Sequence, residues 1–232
     1  PLNGDVVKTS AGNIFHIPIS KVKNLKDVIY TLKANEVSVV AMTEKAEEKI
    51  YNKPLNVLAN ERVFNRLGLK RTMFNPHDKI SLNEIVPSER DDFFRYSKLQ
   101  GYVHDEGAAM LGGISGLAGL FSNSYEVAVV LQAMIQKGKY DNLKLFSQDS
   151  FDKFNFCYFC DKNNRSGVGF DKPQIEGKHG STFGGVSPES FGHYGYTGSM
   201  AWADPQEDLI FIFLSNRTYP TRENTLLQKK KH

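Results

Sequence analysis

The sequence predicts a mixed α/β protein of the α+β type, in which an antiparallel sheet is flanked by helices. The first observation is a pair of runs rich in aromatic and branched residues, 191–203 and 209–214, on either side of a polar turn at 204–208. This pattern is typical of a β-hairpin with a five-residue loop. The others are a helical apolar stripe at 123–135 and a strand-helix-strand pattern at 14–42.

The two strands of this hairpin differ in composition. The second, 209–214, is apolar at every position, which is typical of a strand buried on both faces. We therefore expect helices on both sides of the sheet. The first contains three glycines among bulky residues, Gly192, Gly195 and Gly198. Because glycine weakens a strand, its repeated use indicates that another chain or a ligand lies close against the backbone.

Six residues of the first run, His193-Tyr194-Gly195-Tyr196-Thr197-Gly198, resemble a family signature. The pattern His-x-Gly-x-Thr-Gly is that of the class C β-lactamase and penicillin-binding-protein-like serine hydrolases, where His-x-Gly replaces Lys-Thr-Gly as the third of three active-site motifs. Further blocks resemble the same family in the same order, so the resemblance covers roughly residues 53–220. These blocks are 67–76, 101–105, 112–122 and 167–173.

The resemblance implies a β-lactamase/transpeptidase-like fold that hydrolyses amide or ester bonds through an acyl-enzyme. It also implies a substrate cleft, in which His193 holds the third-motif position. The neighbouring residues Tyr194, Gly195, Tyr196 and Thr197 are expected to bind substrate. A backbone N–H near Tyr196, with the N–H of the serine, would form the oxyanion hole.

The nucleophile of this family comes from a Ser-x-x-Lys motif, whose lysine reaches the serine hydroxyl from one helical turn away. Two formal matches are present, Ser20 with Lys23 and Ser150 with Lys153. Ser20 follows a strand in a segment foreign to the family, and Ser150 lies after the family's position for the serine. Ser20 and Lys23 are therefore only a weak formal match.

The sequence thus predicts a hydrolase scaffold that is incomplete or inactive as it stands. A partner chain could supply the missing serine and lysine. The alternatives are a non-catalytic ligand-binding module or a chimeric structural protein. The expected ligand is a small molecule or a peptidoglycan-like substrate.

Other family positions also depart from the pattern. The second motif, Tyr-x-Asn, has a match at Tyr140-Asp141-Asn142, but this match falls in the linker after the long helix. The segment 107–119 holds five glycines, which predicts tight packing, and Leu117 stands where the family has a histidine. His104 is expected to hold a turn through a hydrogen bond, and His16 to be a strand side chain without a role.

The first fifty residues form a different pattern. A short strand at 14–19, a helix that begins at Asn24 and a strand at 37–42 predict a small α/β unit. Residues 5–46 resemble a fragment of a SpoU-type RNA 2′-O-methyltransferase, without that family's S-adenosylmethionine site. We predict two domains, a SpoU-like fragment at 1–50 and the carboxyl-terminal part of a β-lactamase-like domain at 51–232. An RNA-binding methyltransferase remnant is the less favoured alternative.

The second domain contains two clear helices. Pro54 suits the start of a helix over 55–67 that Gly68 closes. A longer helix is capped by Asn123 or Ser124, with Glu126 completing a capping box and Gly138 ending it. Its apolar stripe predicts packing on the core and consists of Val127, Val130, Leu131, Met134 and Ile135.

Composition excludes several classes of function. A net charge of +3 over 232 residues does not imply nucleic-acid binding. No apolar run is long enough for a membrane helix, and no signal peptide precedes the start, although the resemblance implies a periplasmic or secreted location. No cofactor or metal is expected. Cys157 and Cys160 lack a second pair at zinc-site spacing and lie in an aromatic-rich stretch, which favours structural cysteines over a redox motif.

Overall fold

The computed structural model describes residues 53–158, 160, 165–174 and 185–229. All of them belong to one compact unit, Lys49–His232. The predicted strand-helix-strand unit lies outside the described residues, as do His16, Ser20 and Lys23. The division into two domains and the SpoU-like fragment therefore stay predictions.

Helices and short strands alternate along the described residues. The helices are α1 (Leu55–Ala59), which continues into a π-helical turn at Asn60–Phe64, α2 (Glu106–Met110), α3 (Ser124–Ile135), α4 (Gln148–Asn155) and α5 (Leu226–Lys229). The strands are β1 (Met73–Phe74), β2 (Glu89–Asp91), β3 (Ser97–Leu99), β4 (Leu120–Phe121), β5 (Lys139–Tyr140), β6 (Leu143–Lys144), β7 (Phe191–Tyr194), β8 (Met200–Asp204) and β9 (Leu209–Phe213). Short 3-10 turns lie at Pro76–Asp78 and Leu82–Glu84.

The largest sheet among these elements is antiparallel and three-stranded, in the order β7-β8-β9. His193 pairs with Ala201 across the first two strands, and Asp204 pairs with Leu209 next to the turn that joins the last two. The remaining strands form antiparallel pairs, β1 with β4, β2 with β3 and β5 with β6. The predicted antiparallel sheet with flanking helices is confirmed.

The glycine-rich run does not form one strand. It divides into β7 and β8 around a turn, in which the Gly195 amide donates to the Ser199 carbonyl at 2.7 Å and the Gly198 amide donates to the Gly195 carbonyl at 3.0 Å. Gly198 has a φ of +96°, a backbone conformation that residues other than glycine rarely adopt. The region is thus a three-stranded meander instead of the single hairpin that the sequence predicts.

The prediction that β9 is buried on both faces is wrong. Ile210 and Ile212 pack against the core, whereas Leu209, Phe211 and Phe213 are 49%, 50% and 42% exposed. Among the described strands β9 lies at the edge of the sheet, and α3 packs on the face that carries the isoleucines. An unbroken apolar run cannot by itself distinguish a central strand from an edge strand.

Two apolar clusters surround α3. The first centres on Leu131, Phe151, Phe191 and Ala203, with the Phe151 and Phe191 rings edge to face at 5.4 Å between centroids. The second joins Val129 of α3 to the end of the first helical segment. The predicted stripe is confirmed as core packing: four of its members contact the first cluster and Val130 contacts the second. Leu131 is the buried member of the stripe, and full burial of such a side chain contributes about 1.5–3 kcal/mol.

The start of α3 is confirmed only in part. The side chain of Asn123 accepts a hydrogen bond from the Glu126 amide at 2.9 Å, which is the predicted cap. The Glu126 carboxylate does not complete the capping box. It accepts hydrogen bonds from the Lys70 and Arg71 amides at 2.8 and 2.9 Å and from the Thr72 hydroxyl at 2.6 Å. Glu126 therefore joins α3 to the segment before β1.

The first helical segment also departs from a single helix over 55–67. It consists of α1, the π-helical turn and a further turn, and it ends at Gly68 in the left-handed region, as predicted. Tight packing in the glycine-rich block is confirmed, because the Asn75 side chain donates to the Gly112 carbonyl at 2.9 Å and its Oδ1 occupies the space of a Cβ at Gly113.

Cys157 and Cys160 form a disulfide. Structural and redox-active Cys-x-x-Cys pairs both form such a bond, so the structural role stays a prediction. Among the described residues, no group of three or more His, Cys, Asp or Glu side chains could hold a metal ion. No helix in the described part of the chain combines the length and apolarity that crossing a membrane requires.

Replacing Glu126 with glutamine should lower the free energy of unfolding by about 1–3 kcal/mol, because a neutral amide cannot accept the same set of hydrogen bonds. Burial opposes ionisation of Glu126, but the hydrogen bonds from Thr72, Arg71 and Lys70 outweigh it and hold its pKa below the ordinary value of 4.5. The wild-type advantage should thus be complete above about pH 4.5 and disappear as the pH falls through the lower folded-state value. Urea unfolding at several pH values measures both effects.

Glu84→Gln provides the matched control. Glu84 pairs with the same Arg71 at 2.6 Å, but both side chains are about half exposed. Such a pair contributes little, so this change should cost less than about 1 kcal/mol. Equal losses in the two variants would contradict the role assigned to Glu126.

Candidate functional site

The signature residues 193–198 lie at the end of β7 and in the turn that leads to β8. His193 is exposed, and its Nδ1 lies 2.7 Å from the Tyr194 carbonyl oxygen, to which it donates. This bond leaves Nε2 as the ring nitrogen that can face a ligand. The turn therefore presents an imidazole and the ring of Tyr196 on one short stretch of chain.

Tyr196 is 60% exposed, yet two residues from other segments contact its ring. The guanidinium carbon of Arg217 lies 4.6 Å from the ring centroid, and the His104 ring lies 5.5 Å away at a tilt of 30°. The Arg217 amide also donates to the Thr197 carbonyl at 2.9 Å. The turn is thus held both through its backbone and through its aromatic side chain.

Behind the turn lies a group of charged side chains, which we call the Glu89 cluster: Glu89, His104, Glu106 and Arg222. Glu89 is buried, and its carboxylate accepts from Arg222 Nη2 at 2.7 Å, from Arg222 Nε and the Arg222 amide at 2.9 Å, and from His104 Nε2 at 2.9 Å. Arg222 Nη2 also donates to Glu106 at 2.8 Å. Four residues from three segments are therefore joined directly.

The electrostatics of the cluster favour its charged form. Burial opposes ionisation of Glu89, but hydrogen bonds and charge from Arg222 outweigh it and hold the pKa of Glu89 below its ordinary value. The hydrogen bond with Glu89 raises the pKa of Arg222. Because ionised Glu89 can only accept, the His104 nitrogen that faces it carries a proton.

The sequence predicts that His104 holds a local turn, and this prediction is wrong. Its imidazole bonds across the fold to Glu89 on β2, fifteen residues earlier, and faces the ring of Tyr196. Sequence reasoning also misses Arg217 and Arg222, which join the site from beyond β9. No spacing rule marks such residues, since they meet only after the sheet has formed.

The sequence predicts another chain or a ligand close against the glycine-rich run, but the close neighbours at two of its glycines are this chain's own residues. A Cβ at Gly192 would meet the Ala201 carbonyl and lie 2.6 Å from the Trp202 indole. One at Gly198 would lie 2.5 Å from the Ser215 hydroxyl. At Gly195 the nearest atom, the Ser199 carbonyl oxygen, would be at an ordinary distance of 3.6 Å.

Lys172 lies next to β7 and is almost fully buried. Its Nζ donates to the Asn155 side chain at 3.0 Å and to the Glu189 carbonyl at 3.1 Å. Burial, and then the charge of Arg165, lower the pKa of Lys172 to about 8. This lysine fastens the end of α4 to the segment that leads into the signature strand.

The other candidate motifs do not join the signature. Ser150 lies 2.9 Å from the Ser147 hydroxyl, and Lys153 donates to Asp149 at 2.8 Å on an exposed face of α4. The Tyr-x-Asn match occupies the last residue of β5 and the turn that leads to β6. None of these side chains forms a hydrogen bond or ring contact with residues 193–198 within the described part of the chain.

Comparison with known proteins identifies the scaffold. Residues 40–230 match the Beta-lactamase family, so the chain belongs to this family and has its serine hydrolase scaffold. The predicted family and the β-lactamase/transpeptidase-like fold class are confirmed. The resemblance of the first residues to a SpoU-type enzyme stays a prediction.

Curated relatives include bacterial proteins whose names refer to components of the cell wall. The chain is 33% identical over 187 residues to a "Putative D-alanyl-D-alanine carboxypeptidase" of Salmonella enteritidis PT4, an alignment that covers 74% of this chain and 42% of the relative. It is 32% identical over 184 residues to an "N-acetylmuramyl-L-alanine amidase" of Bacillus subtilis, with coverage of 74% and 41%. The chain thus spans less than half the length of these relatives.

Solved structures that match this chain are more distant in sequence. A penicillin-binding protein homologue from Caulobacter crescentus has 17% identity and a TM-score of 0.47, over 72% of this chain and 48% of that one. A β-lactamase from Mycobacterium bovis has 17% identity and a TM-score of 0.45, over 78% and 58%.

Gly192→Ala should lower the free energy of unfolding by about 1–3 kcal/mol, because the added methyl group overlaps the Ala201 carbonyl and the Trp202 indole. Gly195→Ala is the matched control in the same signature, since its Cβ meets only ordinary contacts and its φ is not positive. The control should change stability by less than about 1 kcal/mol. Thermal or urea unfolding decides, and a tolerated alanine at Gly192 would contradict the strand pairing described here.

Proposed function

We propose that residues 51–232 are the carboxyl-terminal portion of a β-lactamase-family hydrolase domain that binds peptidoglycan-like substrates against the signature. We further propose that the chain as it stands does not form an acyl-enzyme. The observation that carries the proposal is the signature turn, which presents His193 and Tyr196 to solvent while the buried Glu89 cluster supports it from behind.

The substrate class is argued from the relatives and from the chemistry of the turn. The two relatives' names refer to D-alanyl-D-alanine and to N-acetylmuramyl-L-alanine, which are amides of alanine. Such ligands carry amide N–H groups, from which the unprotonated Nε2 of the imidazole can accept a hydrogen bond, and small apolar side chains that a tyrosine ring can contact. We propose that His193 and Tyr196 have these roles, with Tyr194, Gly195 and Thr197 completing the surface.

The lack of acylation follows from the nucleophile. Acyl transfer in this family needs a serine that a lysine activates within hydrogen-bond reach. In the described residues the formal candidate, Ser150, contacts Ser147, whereas the amine of Lys153 is bound to Asp149. We propose that neither this pair nor Ser20 with Lys23 acts as the nucleophile. A partner chain that supplies the two residues would restore the reaction on the same scaffold.

Incubation with a penicillin, and separately with a fluorophosphonate, should leave the intact mass of the folded protein unchanged, because among the described residues the candidate Ser150 bonds to Ser147 and not to a lysine. Mass spectrometry measures the result. A stable adduct that disappears in Ser20→Ala but persists in Ser150→Ala would contradict the inactive state and assign Ser20 as a rebuilt nucleophile.

Binding is measured separately from acylation. Trp202 is the only tryptophan of the chain, and its ring lies 5.9 Å from that of Tyr194 on the signature strand. Its fluorescence should change saturably with diacetyl-L-lysyl-D-alanyl-D-alanine and not with the L-alanyl-L-alanine isomer. The absence of a saturable change in wild type would contradict the proposed ligand class.

A further inference from the structure

His104 lies outside the signature but contacts it directly. Its ring faces Tyr196 at 5.5 Å between centroids, while its Nε2 donates to Glu89 at 2.9 Å. The side chain is only 10% exposed, so the imidazole fills the space between a buried carboxylate and a tyrosine that is largely open to solvent. This arrangement connects the Glu89 cluster to the candidate ligand surface.

The orientation of the imidazole is fixed from behind. Glu89 cannot move toward another partner, because Arg222 holds both of its oxygens through Nε and Nη2, and the Arg222 amide adds a third donor. Glu106 in turn holds the Arg222 guanidinium at 2.8 Å. The ring plane of His104 is therefore determined by a network of charge-assisted hydrogen bonds, which are stronger than those between neutral groups.

An exposed tyrosine without such support would sample several side-chain rotamers. Here the ring of His104 and the guanidinium of Arg217 both limit the movement of Tyr196. A binding surface that is ordered before the ligand arrives loses less side-chain freedom on association. Restricting Tyr196 therefore raises affinity without adding a contact between His104 and the ligand.

We propose that His104 is a positioning residue for ligand binding at the signature. Glu89 fixes its ring, and its ring fixes the side chain of Tyr196 in the orientation that contacts the ligand. This inference rests on the proposed function, since it concerns the same surface. The part that concerns the free protein, the restriction of Tyr196 by His104, does not depend on any ligand. His104 itself touches neither the ligand nor any reacting atom.

Two substitutions separate the two contacts of His104. His104→Gln keeps a nitrogen donor for Glu89 but removes the ring, so it should retain near-wild-type stability and weaken binding of diacetyl-L-lysyl-D-alanyl-D-alanine about 3–10-fold. His104→Phe keeps a ring but leaves Glu89 without one of its donors. It should lower the unfolding midpoint and weaken binding less than His104→Gln does, because a ring still contacts Tyr196 although Glu89 no longer fixes its plane.

The structure offers a matched control elsewhere. His77 stacks on Tyr102 at 4.1 Å between centroids, and its Nδ1 bonds to the Gly101 carbonyl at 3.0 Å. This second histidine–tyrosine pair makes no hydrogen bond or ring contact with residues 193–198 within the described part of the chain. His77→Gln should therefore leave the dissociation constant unchanged.

The second readout is the NMR spectrum of the free protein with labelled tyrosine rings, in which Tyr196→Phe assigns the Tyr196 signals. His104→Gln should shift and sharpen the Tyr196 signals, whereas His77→Gln should leave them in place. Unchanged Tyr196 signals in His104→Gln would overturn the inference. So would unchanged affinity in a variant whose Tyr196 signals do move.

Failure of the proposed function gives a different result from failure of this inference. If wild type does not bind the peptide, the proposed ligand class is wrong. The tyrosine spectra then decide the inference on their own, since a shift of Tyr196 supports the positioning role and its absence overturns it.

Discussion

The ion pair between Glu89 and Arg222 joins two parts of the chain that lie 133 residues apart. Both carboxylate oxygens are engaged, and the fork of the guanidinium matches them in the bidentate geometry that makes such pairs strong. Removing Arg222 would leave the buried Glu89 carboxylate without its main compensating charge, which is costly. This pair therefore ties the segment that follows β9 to β2.

Hydrogen bonds next to the ion pair extend the contact between the two segments. The Thr218 hydroxyl donates to the Ser88 carbonyl at 2.7 Å, the Arg90 amide donates to the Pro220 carbonyl at 2.9 Å, and the Asn216 side chain donates to the Pro87 carbonyl. The segment after β9 is thereby held along residues 87–90. Because Arg217 in this segment binds Thr197, the attachment extends to the signature turn.

Local chemistry explains what the sequence could predict. A cap at Asn123, a left-handed glycine at Gly68 and the period of the stripe in α3 depend on neighbours within a few residues. The signature residues 193–198 could be located for the same reason, since they are contiguous. The sequence does not reveal that they form a turn instead of one strand, because β-rich composition continues across it.

The features that the sequence could not predict depend on contacts between distant segments. Glu126 has the spacing of a capping box, but a buried position lets its carboxylate satisfy three donors from residues 70–72 instead. The apolar run of β9 indicates a strand but not its place at the edge of the sheet. His104 and Arg222 have no periodicity or motif that predicts a common partner, so their role in the site becomes visible only in the fold.

The central claim is that the Glu89 cluster holds the signature turn in place, and hydrogen exchange in Arg222→Lys tests it most directly. Lysine keeps the positive charge but loses the fork, so the change is mild enough to leave the fold intact. The account predicts faster exchange at the amides of Gly195, Gly198 and Arg217, with unchanged protection in Ser124–Ile135. Unchanged exchange at the turn, or equal loss of protection in the helix, would contradict it.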